Sequence, residues 1–127
     1  YEDGMQTRDF IFVSDVARAI YLVSKKDEAN YQMFNIGSGQ GTTILRIGRT
    51  LSKLLNKSGL VRVNKEFRKN DIRHCFADIS KVKKLLGWQP KVSLEEGLEE
   101  LIEWSATEKA EDKFTQAQKE LEQKGLS

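Results

Sequence analysis

Apolar residues recur at intervals of three and four along much of the chain, which is the spacing of amphipathic helices. The first run follows Ser14 and predicts a helix that extends to about Lys26. Runs of the same kind predict further helices over residues 44–57, over residues 79–86 and from residue 94 onwards. The last of these begins with Ser93-Leu94-Glu95-Glu96, which has the form of a capping box.

Shorter apolar or alternating segments predict strands at residues 10–13, 32–36 and 61–63. A glycine-rich turn, Gly37–Gly41, follows the second of them and leads into a helix. Both helices and short strands are predicted, and the helices are longer and more numerous. The predicted fold class is therefore α/β. We expect a few short strands, only partly joined into a sheet, and four to five helices that cover them.

The chain changes character from about Thr107, where charged residues dominate and the apolar stripe narrows. We therefore predict one domain over residues 1–106 and a charged helical tail over residues 107–127. About two heptads are too few for a coiled coil. The simpler interpretation is a solvated helix packed lightly on its own domain, and the alternative is a non-enzymatic interaction module that uses this helix to bind another protein.

Composition narrows the class of protein. Hydrophobic residues make up 39% and charged residues 31% of the 127 residues, a balance typical of an ordered, soluble chain. The net charge of +2 argues against bulk nucleic-acid binding. No apolar run approaches the roughly 18 residues of a membrane span, and no signal peptide is recognisable. With Cys75 as the only cysteine, we expect a cytoplasmic protein without an internal disulfide.

The segment Gly37-x-Gly39-x-Gly41 is similar to a dinucleotide-binding fingerprint. Two features oppose that function. Thr42 stands at the sixth position, where close packing of helix on strand requires glycine or alanine. The next predicted strand is followed by Asn64, not by an acid that could bind a ribose. We interpret the segment as a tight turn whose amides face solvent or a ligand, and keep a stand-alone dinucleotide binder as a third hypothesis.

Three charged residues suggest a ligand that carries phosphates and a sugar. Arg8 precedes an apolar run, and Arg68 and Asp71 lie together in a charged segment. The guanidinium of arginine suits bidentate recognition of phosphate, and a carboxylate can accept hydrogen bonds from ribose hydroxyls. An arginine near an aspartate is more often a surface ion pair, so charge placement alone leaves both interpretations open.

A metal site is not expected. His74 is the sole histidine, and the neighbouring Asp71, Cys75 and Asp78 are mixed in type and wrongly spaced for metal ligands. Cys75 precedes Phe76 and is interpreted as a small apolar residue.

Five blocks of the sequence resemble, in the same order, motifs of the extended short-chain dehydrogenase/reductases that act on nucleotide sugars. They are DGMQTRDFIFVSDVA at residues 3–17, FNIGSG at 34–39, RKNDIRH at 68–74, ADISK at 77–81 and LLGWQPKVSLEEGL at 85–98. Each motif is modest alone, but their order across about residues 3–104 is specific. The resemblance implies the carboxy-terminal part of an NAD-dependent nucleotide-sugar epimerase or dehydratase.

The resemblance also implies roles for particular residues. Arg8 and Arg68 would contact the diphosphate of a nucleotide sugar, Asp71 would contact the nucleoside ribose, and Asn35 would lie near the same pocket. Asn70 stands where the family has glycine before the aspartate. Asparagine tolerates left-handed backbone better than most residues, so we expect the turn to be retained.

In this family NAD is bound by an amino-terminal Rossmann half, and a Tyr-x-x-x-Lys pair acts in catalysis. Tyr21 and Lys25 have that spacing, but they fall in the helix after the opening block, so we interpret the spacing as coincidence. The resemblance thus implies no catalytic residue, no cofactor-binding residue and no activity in this chain alone.

The partners implied by the resemblance are a nucleotide-diphosphate sugar and the N-terminal Rossmann half of the intact enzyme. A face that this half buries would be exposed in the chain alone, which leaves a homodimer through that face as an alternative.

Overall fold

The computed structural model describes residues 3–65, 71–109 and 113–125. Its helices are α1 (Val13–Val23), α2 (Ile44–Leu54), α3 (Ser80–Leu86), α4 (Leu94–Thr107) and α5 (Phe114–Gln123). Its strands are β1 (Thr7–Arg8) and β2 (Thr42–Thr43), and a single 3₁₀ turn covers Asp27–Ala29. The predicted α/β class, with few short strands and four to five helices, is confirmed by this architecture.

Side chains cap the starts of α2 and α4. At the start of α2 the Thr43 hydroxyl accepts a hydrogen bond from the Arg46 amide at 3.1 Å. At the start of α4 Ser93 and Glu96 form the predicted capping box, since each side chain accepts a bond from the backbone amide of the other. The prediction for α1 is wrong by two positions, because the residue flanking its start is Phe12 and not Ser14.

The predicted strands are misplaced. Residues 10–13 lead from β1 into α1, and residues 32–36 and 61–63 are not in strands. Within the described ranges, strand pairing is confined to the short stretch around Thr7. β1 pairs antiparallel with β2, with Thr7 opposite Thr43, and a parallel bridge joins Thr7 to His74. A strand requires a neighbouring backbone as well as an apolar pattern, so the pattern alone overestimates strands.

The hydrophobic core lies between α1 and α3. Trp88 is 1% exposed and packs with five other buried apolar residues. Those residues are Ala19, Ala29, Ile79, Val82 and Leu86. The Arg18 guanidinium covers one side of the indole, 5.6 Å from the ring centroid. A single tryptophan therefore organises the packing of the two helices.

In the parts of the chain that the structure describes, every helix is too short or too polar to cross a membrane.

Candidate functional site

Arg8 lies on β1 where three backbone segments meet. β2 borders it on one side. On the other side the Thr7 amide donates to the Arg73 carbonyl at 2.9 Å, and the Cys75 amide donates to the Thr7 carbonyl at 3.1 Å. The Nη1 atom of Arg8 donates to the same two carbonyl oxygens, at 2.9 Å to Thr7 and 3.3 Å to Arg73. One end of the guanidinium is thus fixed to the main chain.

The other end of the Arg8 guanidinium contacts Asp71. Nη2 donates to Oδ1 of Asp71 at 2.8 Å, across 63 positions of sequence. The two side chains are 30% and 41% exposed, so solvent reaches both. An ion pair with this exposure contributes about 1 kcal/mol or less to stability. Because the pair is weak, either charged group can exchange its partner at small cost.

A second ion pair lies beside the first. Nη2 of Arg73 donates to Oδ2 of Asp3 at 2.7 Å, and the other Asp3 oxygen accepts the Met5 amide at 2.9 Å. The hydrogen bond from Met5 and that from Arg73 hold the pKa of the Asp3 carboxyl below its usual range. Thr7 and His74 share a further hydrogen bond, 3.0 Å from Oγ1 to Nδ1. Polar and charged groups therefore line this edge of the sheet.

The structure describes the contacts of three of the four predicted site residues. Arg8 and Asp71 are in direct contact. The side-chain amide of Asn35 instead donates to the Asp78 carbonyl at 3.4 Å. Arg68 lies outside the described residues, so its predicted position beside the other two stays a prediction.

Asp9, next to Arg8, holds the glycine-rich turn. Its Oδ1 accepts the Ser38 amide at 2.7 Å and the Ser38 hydroxyl at 2.6 Å, and its Oδ2 accepts the amides of Gly39 at 3.1 Å and Ala77 at 3.0 Å. Burial raises the pKa of the Asp9 carboxyl, but the four hydrogen bonds outweigh burial and the net shift is downward. One carboxylate thus joins β1, the turn and the segment before α3.

This arrangement corrects the expected role of the turn's amides. The amides of Ser38 and Gly39 face the Asp9 carboxylate, and the amide of Gln40 faces the Ser38 hydroxyl, so these three do not face solvent or a ligand. The fit is close at Gly37, where a Cβ atom would lie 2.5 Å from Oδ2 of Asp9 and 2.7 Å from Cβ of Ala77. A dinucleotide pyrophosphate would need the same amides. The turn therefore does not fit NAD, which agrees with rejecting the fingerprint.

Asp15 makes a second junction, and this one is buried, between α1 and the segment before α4. Its side chain is 2% exposed, and Oδ2 accepts the amides of Lys91 at 2.9 Å and Val92 at 3.0 Å. Arg18 donates to Oδ1 of Asp15 and, at 2.6 Å, to the Gln89 carbonyl. Burial raises the pKa of the Asp15 carboxyl, but these bonds outweigh it and lower the pKa overall.

Neither junction was predicted from the sequence. Their position in a family motif does not reveal the structural role of Asp9 and Asp15. Each of them, however, is next to strongly apolar residues in the stretch from Phe10 to Val16. An acid in such a stretch is either exposed or fully hydrogen-bonded, since burying an unpaired carboxylate is costly. The placement of these acids next to apolar residues is the sequence signal that could have indicated the two junctions.

Tyr21 and Lys25 form a pair on the surface of α1. Tyr21 is 66% exposed, and the Lys25 ammonium lies 5.7 Å from its ring centroid. The pair has the geometry of a surface cation–π contact. Among the residues that the structure describes, no group of three or more histidine, cysteine or acidic side chains is placed to hold a metal ion.

Comparison with known proteins identifies the class to which this fold and site belong. The family model for GDP-mannose 4,6 dehydratase matches residues 1–101. The dTDP-L-rhamnose 4-epimerase of Burkholderia thailandensis is 42% identical over 108 residues, which are 85% of this chain and 30% of that protein. The chain thus spans about a third of the length of the curated relatives that it matches.

Solved structures show the same relation. The UDP-glucose 4-epimerase of Thermotoga maritima, solved with UDP-glucose, superposes with a TM-score of 0.76 at 40% identity, over 84% of this chain and 33% of that one. The dTDP-glucose 4,6-dehydratase of Bacillus anthracis, solved in complex with NAD, gives a TM-score of 0.72 at 27% identity, over 86% of this chain and 34% of that one.

These matches define an α/β unit of the kind found in nucleotide-sugar epimerases and dehydratases. The chain belongs to the GDP-mannose 4,6 dehydratase family, within the NAD-dependent extended short-chain dehydrogenase/reductases.

Proposed function

We propose that this chain is the substrate-binding part of an NAD-dependent nucleotide-sugar epimerase or dehydratase, and that Arg8 and Asp71 bind the nucleotide diphosphate of the substrate. The observation that carries the proposal is the Arg8 guanidinium, fixed at Nη1 by two main-chain carbonyls and paired at Nη2 with Asp71 at 2.8 Å. A prearranged guanidinium loses little conformational entropy when it binds an anion.

The charges at this edge suit the two ends of a nucleoside diphosphate. The planar fork of Arg8 can donate two parallel hydrogen bonds to phosphate oxygens. The Asp71 carboxylate, only acceptors when ionised, can take hydrogen bonds from ribose hydroxyls. Arg68 and Asn35 belong to the same proposal through the family resemblance, as a second diphosphate contact and as a residue near the pocket.

The names of the relatives support a nucleotide diphosphate without selecting a sugar. The Thermotoga maritima structure contains UDP-glucose, whereas the Burkholderia thailandensis relative is named for dTDP-L-rhamnose. The nucleoside diphosphate is common to both, and the sugar and base differ. We therefore limit the proposal to the nucleoside diphosphate.

A titration tests this proposal. Addition of UDP to the isotope-labelled chain should shift the amide signals of Arg8 and Asp71 in NMR spectra and spare those of α5. The Arg8→Gln substitution should weaken UDP binding about tenfold or more, because a hydrogen bond to a charged group is worth about 1.5–3 kcal/mol.

Arg46→Gln is the matched control. Arg46 is exposed and pairs with Glu95 at 3.1 Å, so this variant makes the same chemical change on α2. It should bind UDP within about twofold of the wild type. Equal losses in the two variants, or shifts that spare Arg8 and Asp71, would contradict the proposal.

We further propose that the NAD-binding part of the family fold covers an apolar groove between residues 10–13 and α4. The groove has a volume of about 280 Å³. At its lining, Val13 is 72% and Leu101 is 47% exposed. The chain spans only about a third of its relatives, so the remaining two thirds of their fold are the natural partner for this surface. NAD bound by that other part of the family fold would supply the hydride transfer.

Co-expression tests the groove. The wild-type chain should co-purify with the remaining two thirds of the Burkholderia thailandensis relative, and Leu101→Asp should abolish that complex because it places a charge in an apolar interface. Leu85→Asp, at a residue of α3 that is 43% exposed and outside the groove lining, is the control and should leave the complex intact. Recovery of a homodimer alone, sensitive to Leu101→Asp, would instead assign the groove to a second copy.

A further inference from the structure

A basic cleft lies at the C-terminal end of α2. Its described lining runs from Arg49 to Val61, and its volume is about 560 Å³. We infer that this α2 cleft is a second anion-binding site, and that it takes a compact ligand with two or more phosphate groups and no aromatic base. The inference is independent of the proposed function, because it concerns other residues.

Three cations line the α2 cleft at intervals of four residues. Arg49 and Lys53 lie one turn apart on α2, and Lys57 follows in the turn after the helix. All three residues are exposed, and the described lining contains no acid. Like charges at this spacing destabilise a helix, so a bound anion would relieve a repulsion that is already present.

The protein does not neutralise these charges itself. Four arginines elsewhere in the described chain each pair with an acid, namely Arg8, Arg18, Arg46 and Arg73. Within the same ranges, Arg49, Lys53 and Lys57 make no such ion pair. Glu95 of α4 attracts Lys53 at longer range, but its ion pair is with Arg46 at 3.1 Å. The cleft therefore keeps a positive potential.

The turn after α2 adds neutral donors. Ser58 and Gly59 line the cleft, and in the described part of the chain their amides donate to no main-chain acceptor. Gly59 has a φ of +80°, and a Cβ atom there would meet nothing within 4 Å. The backbone of this turn is thus open to a ligand, and amides beside cations are the groups that bind phosphate in proteins.

The C-terminal end of a helix by itself disfavours anions, because its dipole is equivalent to about half a negative charge. At this end of α2 the carbonyls of Leu51, Ser52 and Lys53 each accept an amide of the following turn, at 2.9 or 3.0 Å. The Ser52 hydroxyl donates to the Lys57 carbonyl and ties the same turn together. Three full positive charges therefore outweigh what remains of the dipole.

The lining also indicates the class of ligand. Its described residues include no aromatic ring on which a base could stack, so they offer charge and donors and little else. Arg49 and Lys53 are about 6 Å apart along the helix axis, so a ligand with two or more phosphate groups can contact both. A chain of phosphates fits these features better than a nucleotide does.

The α2 cleft is separate from the Arg8 site. Arg8 pairs with Thr42, just before the start of α2, and the cleft lies at the other end of this 11-residue helix. That length corresponds to about 16 Å. Signals from the two places can therefore be followed separately in one titration.

The experiment titrates the full, isotope-labelled chain with tripolyphosphate, pyrophosphate and UDP, at constant ionic strength. Tripolyphosphate should shift the amide signals of Lys53, Ser58 and Gly59. The double variant Lys53→Gln with Lys57→Gln should weaken its binding about tenfold, since two charged contacts are lost. At these signals UDP should bind no more tightly than pyrophosphate.

Lys83→Gln with Lys84→Gln is the matched control. It removes two exposed lysines from the last turn of α3, so the net charge changes equally. This variant should bind tripolyphosphate within about twofold of the wild type. Equal losses in the two double variants would mean that net charge alone attracts the ligand, and would overturn the inference. Tighter binding of UDP than of pyrophosphate at Gly59 would overturn the class of ligand.

The two proposals fail separately. Arg8→Gln should leave the tripolyphosphate shifts at Gly59 unchanged, and their loss would show that the ligand binds at Arg8 and not in the cleft. If UDP fails to shift the signals of Arg8 while tripolyphosphate shifts those of Gly59, only the proposed function is wrong. The reverse result would leave the proposed function intact and refute the second site.

Discussion

Two regions of this chain use aspartate in opposite ways. At internal junctions, the half-buried Asp9 and the buried Asp15 each accept bonds from several donors, most of them main-chain amides. At the edge of the sheet, Asp71 meets one guanidinium and is 41% exposed. The interior carboxylates are saturated, so exchange of their partners would break the fold. The edge carboxylate is not saturated, and it can change partner at small cost.

The difference separates an acid that positions the candidate site from an acid that is proposed to act in it. Asp9 binds three segments of backbone together directly beside Arg8, so it fixes where that arginine lies. Asp71 contributes little to the fold, because an exposed ion pair is weak. The family motifs therefore contain acids of both kinds. Only the burial of each carboxylate and the number of donors that bond to it distinguish the two kinds.

The largest expected effect is on the interior side of this comparison. Asp15→Ala leaves the Lys91 and Val92 amides without their acceptor and removes one of the two acceptors of the Arg18 guanidinium. We expect a loss of about 3 kcal/mol in the free energy of unfolding, which urea denaturation would measure. Because single domains of this size have about 5–15 kcal/mol in total, the loss would be obvious.

Asp27→Ala is the control for this loss. Asp27 is exposed in the 3₁₀ turn, where its bond to Asn30 is long at 3.4 Å. This variant should change the free energy of unfolding by about 0.5 kcal/mol or less. If the two substitutions cost the same, saturation and burial do not distinguish the interior acids from exposed ones.

The sequence predicts the helices of this fold well because their signals are local. The capping box at Ser93 and Glu96 and the Thr43 cap of α2 each depend on residues three apart, and both form. Strands depend on distant partners. Residues 32–36 have an apolar pattern but are not in a strand, whereas the uninformative pair Thr7–Arg8 forms β1 through β2 and His74.

The candidate site divides in the same way. The family motifs suggested Arg8 and Asp71 as site residues. These two residues are in contact across 63 positions of sequence. Neither charge nor spacing could predict that contact, since ion pairing between distant residues depends on the packed backbone. The junction at Asp9 was missed for the same reason, because its donors come from Ser38, Gly39 and Ala77.

A smaller effect is expected from Asp9→Asn, and its pH dependence sharpens the comparison. Each oxygen of Asp9 accepts two hydrogen bonds, so an amide nitrogen at either place faces at least one main-chain N–H donor. We expect a loss of about 2 kcal/mol in the free energy of unfolding at pH 7. The same variant should also weaken UDP binding, since Arg8 is the adjacent residue.

The pH dependence follows from the lowered pKa of the Asp9 carboxyl. A carboxyl whose pKa is lower in the folded chain than in the unfolded one stabilises the fold above the unfolded pKa, roughly 4, and this stabilisation is lost as pH falls through the folded pKa. The asparagine variant has no such group at this position. Its stability should therefore approach that of the wild type below about pH 4, as measured by urea denaturation from pH 7 to pH 3.

The control for this convergence is Asp27→Asn, which removes an exposed carboxylate of the same kind. Its stability should stay within about 0.5 kcal/mol of the wild type throughout the range. A gap between Asp9→Asn and the wild type that stays constant down to pH 3 would mean that Asp9 acts through its shape and not through its charge. The difference between Asp9 and the exchangeable carboxylate of Asp71 would then be a difference in packing and not in charge.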